Sequence, residues 1–206
     1  PSAWARNAFS VSQVALRAHA DGALDVGVAL RALGGESVRS ASLVVRRDAI
    51  RHQFPFALSV DGALQSQRVM VPDVEQWWPH THGTPVLYAV AVELITDDGS
   101  VVTLDLGRVG FRDIEVRRAN GDFGVIVNGV SVFCRGACWT PLDVVSLHAG
   151  EAQMDAAFSQ LVDAGLNMVR VGGMMTYESD AFLDRCDAHG VLLWQDFMFA
   201  NMDYPE

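Results

Sequence analysis

The chain has 206 residues, half of them hydrophobic, with a formal net charge of −10 and a sequence pI near 4.9. There is enough apolar material for one large or two modest cores, and the acidic balance, with scattered arginines and no lysine, excludes a nucleic-acid surface. Cys134, Cys138 and Cys186 are too few, and odd in number, for a disulfide framework. No second ligand cluster joins them and the histidines are scattered, so neither a metal nor another cofactor is expected. No apolar stretch is long enough to cross a bilayer, and PSAWARNAFS lacks the charged-then-apolar layout of a signal peptide. A bacterial, cytoplasmic setting is preferred to secretion; the oligomeric state stays open.

From about residue 11 to residue 116 short alternating runs are separated by turn residues, the pattern of a β-sandwich. Leu24, Val26, Val28 and Leu30 alternate with smaller or polar residues after an Asp21-Gly22 turn, and Leu43 and Val45 alternate in ASLVVRR. Val60 to Ala63 reads as a further turn. Leu87 to Ile95 and Val101 to Leu106 form a hairpin about Asp97-Asp98-Gly99. Residues 1–116 are therefore expected to form an immunoglobulin-like domain without the antibody cysteine pair, and His80 and His82 fall inside it.

Over residues 117–130 the period changes. Val130 to Arg135 reads as a strand with Arg135 buried in it. Glu151 to Ala164 places Met154, Phe158, Leu161 and Val162 on one helical face, stopped by Gly165. Leu166 to Val171 is the next strand, and Ser179 or Asp180 caps a helix running to His189 with Phe182, Leu183 and Cys186 on its apolar face. Glu178 is read as opening that helix, where a carboxylate favours the dipole. Val191 to Trp194 is a continuous apolar run, as in a parallel strand covered on both faces, and Gln195, Asp196, Asn201, Asp203 and Tyr204 arrive where it ends. Residues 117–206 thus read as β-α-β-α-β, the first three β/α units of a truncated (β/α)8 TIM barrel, with polar groups gathered at the strands' C-terminal ends.

At these residues the chain resembles glycoside hydrolase family 2, most nearly its β-mannosidase branch. Trp78 to Tyr88 is similar to the family's W-P-x-x-x-G-x-P-x-L-Y segment, and Val109-Gly110-Phe111-Arg112 to the G-F-R that closes its sandwich domain. Phe123 to Gly129 and Phe133 to Asp143 resemble the segments that enter the barrel. Asn167 to Val171, Tyr177-Glu178, and Cys186-Asp187 through Trp194-Gln195-Asp196-Phe197 to Tyr204-Pro205 resemble the next two units. Two positions depart from the pattern: Gly172 stands where the family has a tryptophan of the sugar pocket, and Cys138 where it has an asparagine before Trp139.

The resemblance implies a retaining, exo-acting hydrolase of terminal β-mannosides, with carbohydrate as substrate and two catalytic glutamates, the acid/base following an asparagine. Glu178 and Glu206 are the only glutamates after Glu151, and neither follows an asparagine. No catalytic residue is therefore expected in this chain, and both catalytic glutamates are expected downstream of Glu206. A fragment of a longer enzyme, inactive alone, is the expectation. The site-supporting candidates are Arg170, Trp139, Asp143, Trp194 and Asp196. Arg170 matches the arginine that orients and keeps ionised the nucleophilic carboxylate; a structural ion pair with Asp196 is the other reading, and both can hold. Trp139 and Trp194 either face the sugar ring or pack in the core. Asp143 and Asp196 either bind sugar hydroxyls or serve as a loop cap and as the arginine's partner, respectively. Another β-linked sugar (glucosaminide, galactoside or glucuronide) and a non-catalytic carbohydrate-binding or linker module are the alternatives.

Overall fold

The computed structural model describes residues 8–118, 121–147 and 149–200. They divide into two compact units, residues 8–75 with 87–112, and residues 76–86 with 113–200.

The first unit holds seven strands: β1 (Phe9–Ala18), β2 (Ala23–Ala32), β3 (Val38–Arg47), β4 (Ile50–Pro55), β5 (Asp61–Met70), β6 (Tyr88–Thr96) and β7 (Val101–Val109). They form two antiparallel sheets, ordered β1-β2-β5 and β4-β3-β6-β7. Alternate positions supply the inner faces: Leu24, Val26, Val28, Leu30, Leu43, Val45, Val90, Val92 and Leu94 are each at most 1% exposed. In the antibody constant arrangement the fourth strand joins the first sheet. Here β4 pairs with β3 instead, through a tight turn in which Asp48 takes φ 50°. The turn expected at Val60 to Ala63 is shorter than its sequence suggests. β5 already begins at Asp61, whose Oδ1 accepts a hydrogen bond from Ala63 N at 2.8 Å.

In the second unit, β8 (Ile114–Arg117), β9 (Gly124–Val127) and β10 (Val130–Val132) form an antiparallel sheet ordered β10-β9-β8. The expected strand from Val130 to Arg135 is therefore divided. Asn128 and Gly129 have φ of 50° and 78°, a turn that folds Val130–Val132 back onto Val125–Val127. The first parallel strand is β11 (Gly136–Trp139). Gly136 is needed there because a Cβ would lie 2.8 Å from the Met168 carbonyl oxygen on the neighbouring strand. Arg135 is exposed rather than buried.

After β11 come α1 (Glu151–Asp163), β12 (Met168–Val171), α2 (Asp180–His189) and β13 (Leu192–Gln195), with β11-β12-β13 as a parallel sheet. No closed barrel is present among the described residues. Trp139, Met154, Phe158, Val169, Val171, Phe182, Cys186 and Val191 form one buried cluster between this sheet and its two helices. Leu183, expected on the apolar face of α2, is 41% exposed. Both helices end on left-handed glycines, Gly165 at φ 71° and Gly190 at φ 67°.

Segment 76–86 belongs to this second unit although its sequence lies among the sandwich strands. Trp77 is 1% exposed, and its Nε1 donates to the Asp187 carbonyl at 2.7 Å. His80 N donates to the Gly190 carbonyl at 3.0 Å, and the His80 ring Nε2 lies 2.9 Å from the Leu166 carbonyl. His80 is thus part of the α/β unit, not of the sandwich in which the sequence places it. Gly190 suits this contact, because a Cβ there would stand 2.6 Å from His80 N.

Candidate functional site

Strand geometry assigns the two faces of the parallel sheet. Trp139, Val169 and Val171 point to the helices, so the intervening residues point the other way. Register places Cys138 beside Arg170, and Arg170 beside Trp194, in one row across that second face. All three are exposed, Trp194 to 43%. The uninterrupted apolar run at Val191 to Trp194 had suggested cover on both faces; in the fold the last residue of the run is open.

Arg170 holds Asp196. Nη2 lies 2.8 Å from Oδ2 and Nε donates to Oδ1 at 3.3 Å, a two-point arrangement that fixes the guanidinium plane. Gly173 N adds a bond to Oδ2 at 3.2 Å. The Arg170 hydrogen bond, followed by its charge and the Gly173 amide, holds the Asp196 carboxyl below the usual carboxylate range, and Asp196 in turn raises the Arg170 guanidinium. The Arg170 Cζ also stands 6.0 Å from the Trp194 ring centroid, and Phe123 lies against that ring at 5.4 Å. Asp196 uses both oxygens on these donors, while Arg170 Nη1 carries no carboxylate partner among the described residues. The row can therefore receive one further carboxylate beside an apolar ring face.

The other two sequence candidates have different surroundings. Trp139 is buried, its ring 4.9 Å from Phe182 and 5.8 Å from Phe158, so its faces pack in the core as one of its two readings held. Its Nε1 donates to Glu178 Oε1 at 2.8 Å. Glu178 therefore anchors Trp139 rather than opening α2, whose N-cap is Ser179. Asp143 accepts from Val145 N at 2.8 Å, Ser146 N at 3.1 Å and Ser146 Oγ at 2.8 Å. These bonds, the Val145 amide foremost, lower its pKa and make it a loop cap. Asn201, Asp203 and Tyr204 lie outside the described residues. So does Glu206, the residue beyond which both catalytic glutamates are expected.

Asn167 was not singled out from sequence for a role. It is fully buried; its Oδ1 accepts from Arg135 N at 2.8 Å, and its Nδ2 donates to Thr81 Oγ1 at 2.9 Å and to the Phe133 carbonyl at 3.1 Å. One side chain thus joins the starts of β11 and β12 to segment 76–86. The available signals were a polar residue at the head of an apolar run and its place in the Asn167 to Val171 segment that resembles the family. Among the described residues no group of three or more His, Cys, Asp or Glu side chains is placed to hold a metal ion.

The sequence profile of Glycosyl hydrolases family 2 matches residues 10–112, half of the chain, and the chain belongs to that family. Among curated relatives, beta-mannosidase B of Aspergillus clavatus is 38% identical over 154 residues, covering 72% of this chain and 18% of its own. The beta-mannosidase of Bos taurus is 36% identical over 138 residues, covering 64% of this chain and 16% of its own. The chain thus spans less than a fifth of the length of either relative. The crystal structure of a beta-D-mannosidase from Dictyoglomus thermophilum shares the fold, with a TM-score of 0.78 at 24% identity, over 96% of this chain and 25% of that one.

Proposed function

We propose that this chain is part of a retaining, exo-acting β-glycosidase of β-mannosidase type, and that β11, β12 and β13 are the first three strands of its catalytic barrel. The observation that carries this reading is the exposed row of Cys138, Arg170 and Trp194, with Arg170 fixed by Asp196 and its Nη1 without a carboxylate partner among the described residues. On barrel closure that face becomes the lumen, at the C-terminal strand ends where such folds place their chemistry. Retaining hydrolysis needs two carboxyl groups about 5–5.5 Å apart, one a nucleophile and one an acid/base. No glutamate of this chain follows an asparagine, so neither is assigned to a residue within it. Arg170 hydrogen-bonds the nucleophile and keeps it ionised, Asp196 keeps Arg170 in place, and Trp194 with Phe123 offers an apolar surface to the sugar ring.

The substrate is a terminal β-linked sugar, mannoside first. One observation favours another β-glycoside. Gly172, at the position of the family's pocket tryptophan, has no heavy atom within 4 Å of where its Cβ would be, so the pocket is open there. The test is an assay of the whole protein on aryl β-mannoside and on the β-glucosaminide, β-galactoside and β-glucuronide analogues. Cleavage of one of them, with kcat reduced roughly 10²–10³-fold by Arg170→Met, is the expected result. No cleavage of any of the four, or an Arg170→Met protein of undiminished rate, would refute it.

A further inference from the structure

The four-stranded sheet β4-β3-β6-β7 carries a line of like charges on its outer face. Leu43, Val45, Val90 and Val92 fill the inner face, so strand alternation turns Arg46, Ala89 and Arg108 outward. Register sets Arg46 opposite Arg51 on β4 and opposite Ala89 on β6, and Ala89 opposite Arg108 on β7. Three exposed arginines thus stand in one line across the sheet. Like charges directly opposite on neighbouring strands repel, so the line costs stability unless an anion meets it.

One of the three is answered within the sandwich. Arg51 Nη2 donates to Glu93 Oε2 at 2.6 Å, reaching across β3, and its Nη1 donates to Gln53 Oε1 at 2.8 Å. Arg46 and Arg108 make no side-chain hydrogen bond or ion pair with any described group. The sandwich has few carboxylates left for them. Residues 1–112 hold eleven acidic side chains against ten arginines, whereas residues 113–206 hold fourteen against five, so nearly all of the net charge of −10 belongs to the second stretch. There the outward side of α2 is the complement. Asp180 and Asp184 lie one turn apart, both exposed and neither ion-paired with a described group, on the side away from buried Phe182 and Cys186. Arg185, the one arginine of α2, is turned to α1, where its Nε donates to Asp155 Oδ1 at 2.6 Å, so it leaves that side anionic.

We infer that the arginine line is a self-association surface, on which Arg46 and Arg108 receive Asp180 and Asp184 of a second copy of this chain. Arg46 and Arg108 are two strand spacings apart, about 9.5 Å, a gap their long side chains close onto carboxylates one helical turn apart. Complementary charge also fixes orientation: the near-neutral sandwich of one copy meets the acidic α/β unit of the other, while like units repel. Exposed ion pairs are individually weak, so the dimer belongs to low salt and high protein concentration. The inference is independent of the chemistry at Arg170.

The experiment is sedimentation velocity of the 206-residue chain over a concentration series, in about 0.02 M and about 0.5 M sodium chloride, which bracket strong and weak screening. A dimer at low salt, weakened at least tenfold at high salt, is expected. Arg46→Glu with Arg108→Glu should weaken it at least tenfold, as should Asp180→Asn with Asp184→Arg, and mixing the two double variants should restore it. All four positions are exposed, and an unchanged urea midpoint verifies folding. Association through bare apolar strand edges is distinguished by sign, since salt does not weaken it. A monomer at every concentration, association that salt leaves unchanged, or association that survives the arginine variant would each overturn the inference. Loss on the arginine variant without loss on the α2 variant would overturn the occupant, and with it the self-association surface as stated.

Discussion

Arg170 and Asp196 are opposite charges whose meeting sequence could only offer as one of two readings, because 26 residues separate them and only the parallel register brings their strand ends together. The pairing has a signed pH consequence. Asp196 is held below the usual carboxylate value of about 3.9, so its contribution to stability is complete above that value and is lost as pH falls through its depressed folded value. Replacing Arg170 with Met is expected to move the Asp196 carboxyl back up toward the ordinary range, as read from its ¹³C shift in an acid titration. An unmoved midpoint would show that the Gly173 amide and the Trp194 side chain set it without Arg170. The cysteines separate as clearly. Burial pushes the Cys186 thiol up to about 12, whereas Cys138 is exposed. Iodoacetamide at about pH 8 should label Cys138 in the native chain and reach Cys186 only on unfolding, since the thiolate is the reactive form. Peptide mapping by mass spectrometry distinguishes the two.

At the scale of elements, the turn chemistry was legible from single residues. Gly165 and Gly190 follow helical runs and adopt left-handed φ as such glycines do. What sequence did not show is that the two differ in surroundings. A Cβ at Gly165 meets nothing within 4 Å, while one at Gly190 collides with His80 N at 2.6 Å. Gly165→Ala should therefore cost about 1–2 kcal/mol from conformation alone, and Gly190→Ala distinctly more, compared by urea midpoints. Asn167 is the other element-scale tie. Asn167→Ala removes the partner of Arg135 N, Thr81 Oγ1 and the Phe133 carbonyl together, and an expected loss of about 2–4 kcal/mol follows. Equal midpoints for that variant and the parent chain would show that solvent replaces all three bonds. The division of Val130 to Arg135 into β10 and a connection was hidden for a related reason: apolar content marks a strand but not its partner, and the Asn128-Gly129 turn chose β9.

Across the whole molecule, the family assignment and the exposed row together predict what the 206-residue chain does by itself. It contains no asparagine-glutamate pair, and by itself it should release no aglycone from an aryl β-mannoside. Measurable turnover by the isolated chain, abolished by no Arg170 substitution, would point to a site elsewhere. Among the described residues the parallel sheet also ends in edge strands at β11 and β13, with Trp194 exposed in β13 and Phe197 and Phe199 exposed after it. Such edges and apolar patches pair with what they meet. Association that rises with concentration, followed by light scattering, is the expected behaviour.

Composition, period and turn residues by themselves determined that strands precede an α/β segment, where its two helices lie and which glycines stop them, because these depend on neighbours a few positions apart. They also carried the family, through short motifs in fixed order. Tertiary structure alone decided which side of the parallel sheet each residue faces and which distant groups meet there. Trp139 went to the core and Trp194 to the open face, Asp143 closed on its own loop while Asp196 reached Arg170, and segment 76–86 joined the α/β unit. The reason is physical: a strand shows its period locally, but register across strands and the closure of long loops are set by packing between residues far apart in the chain.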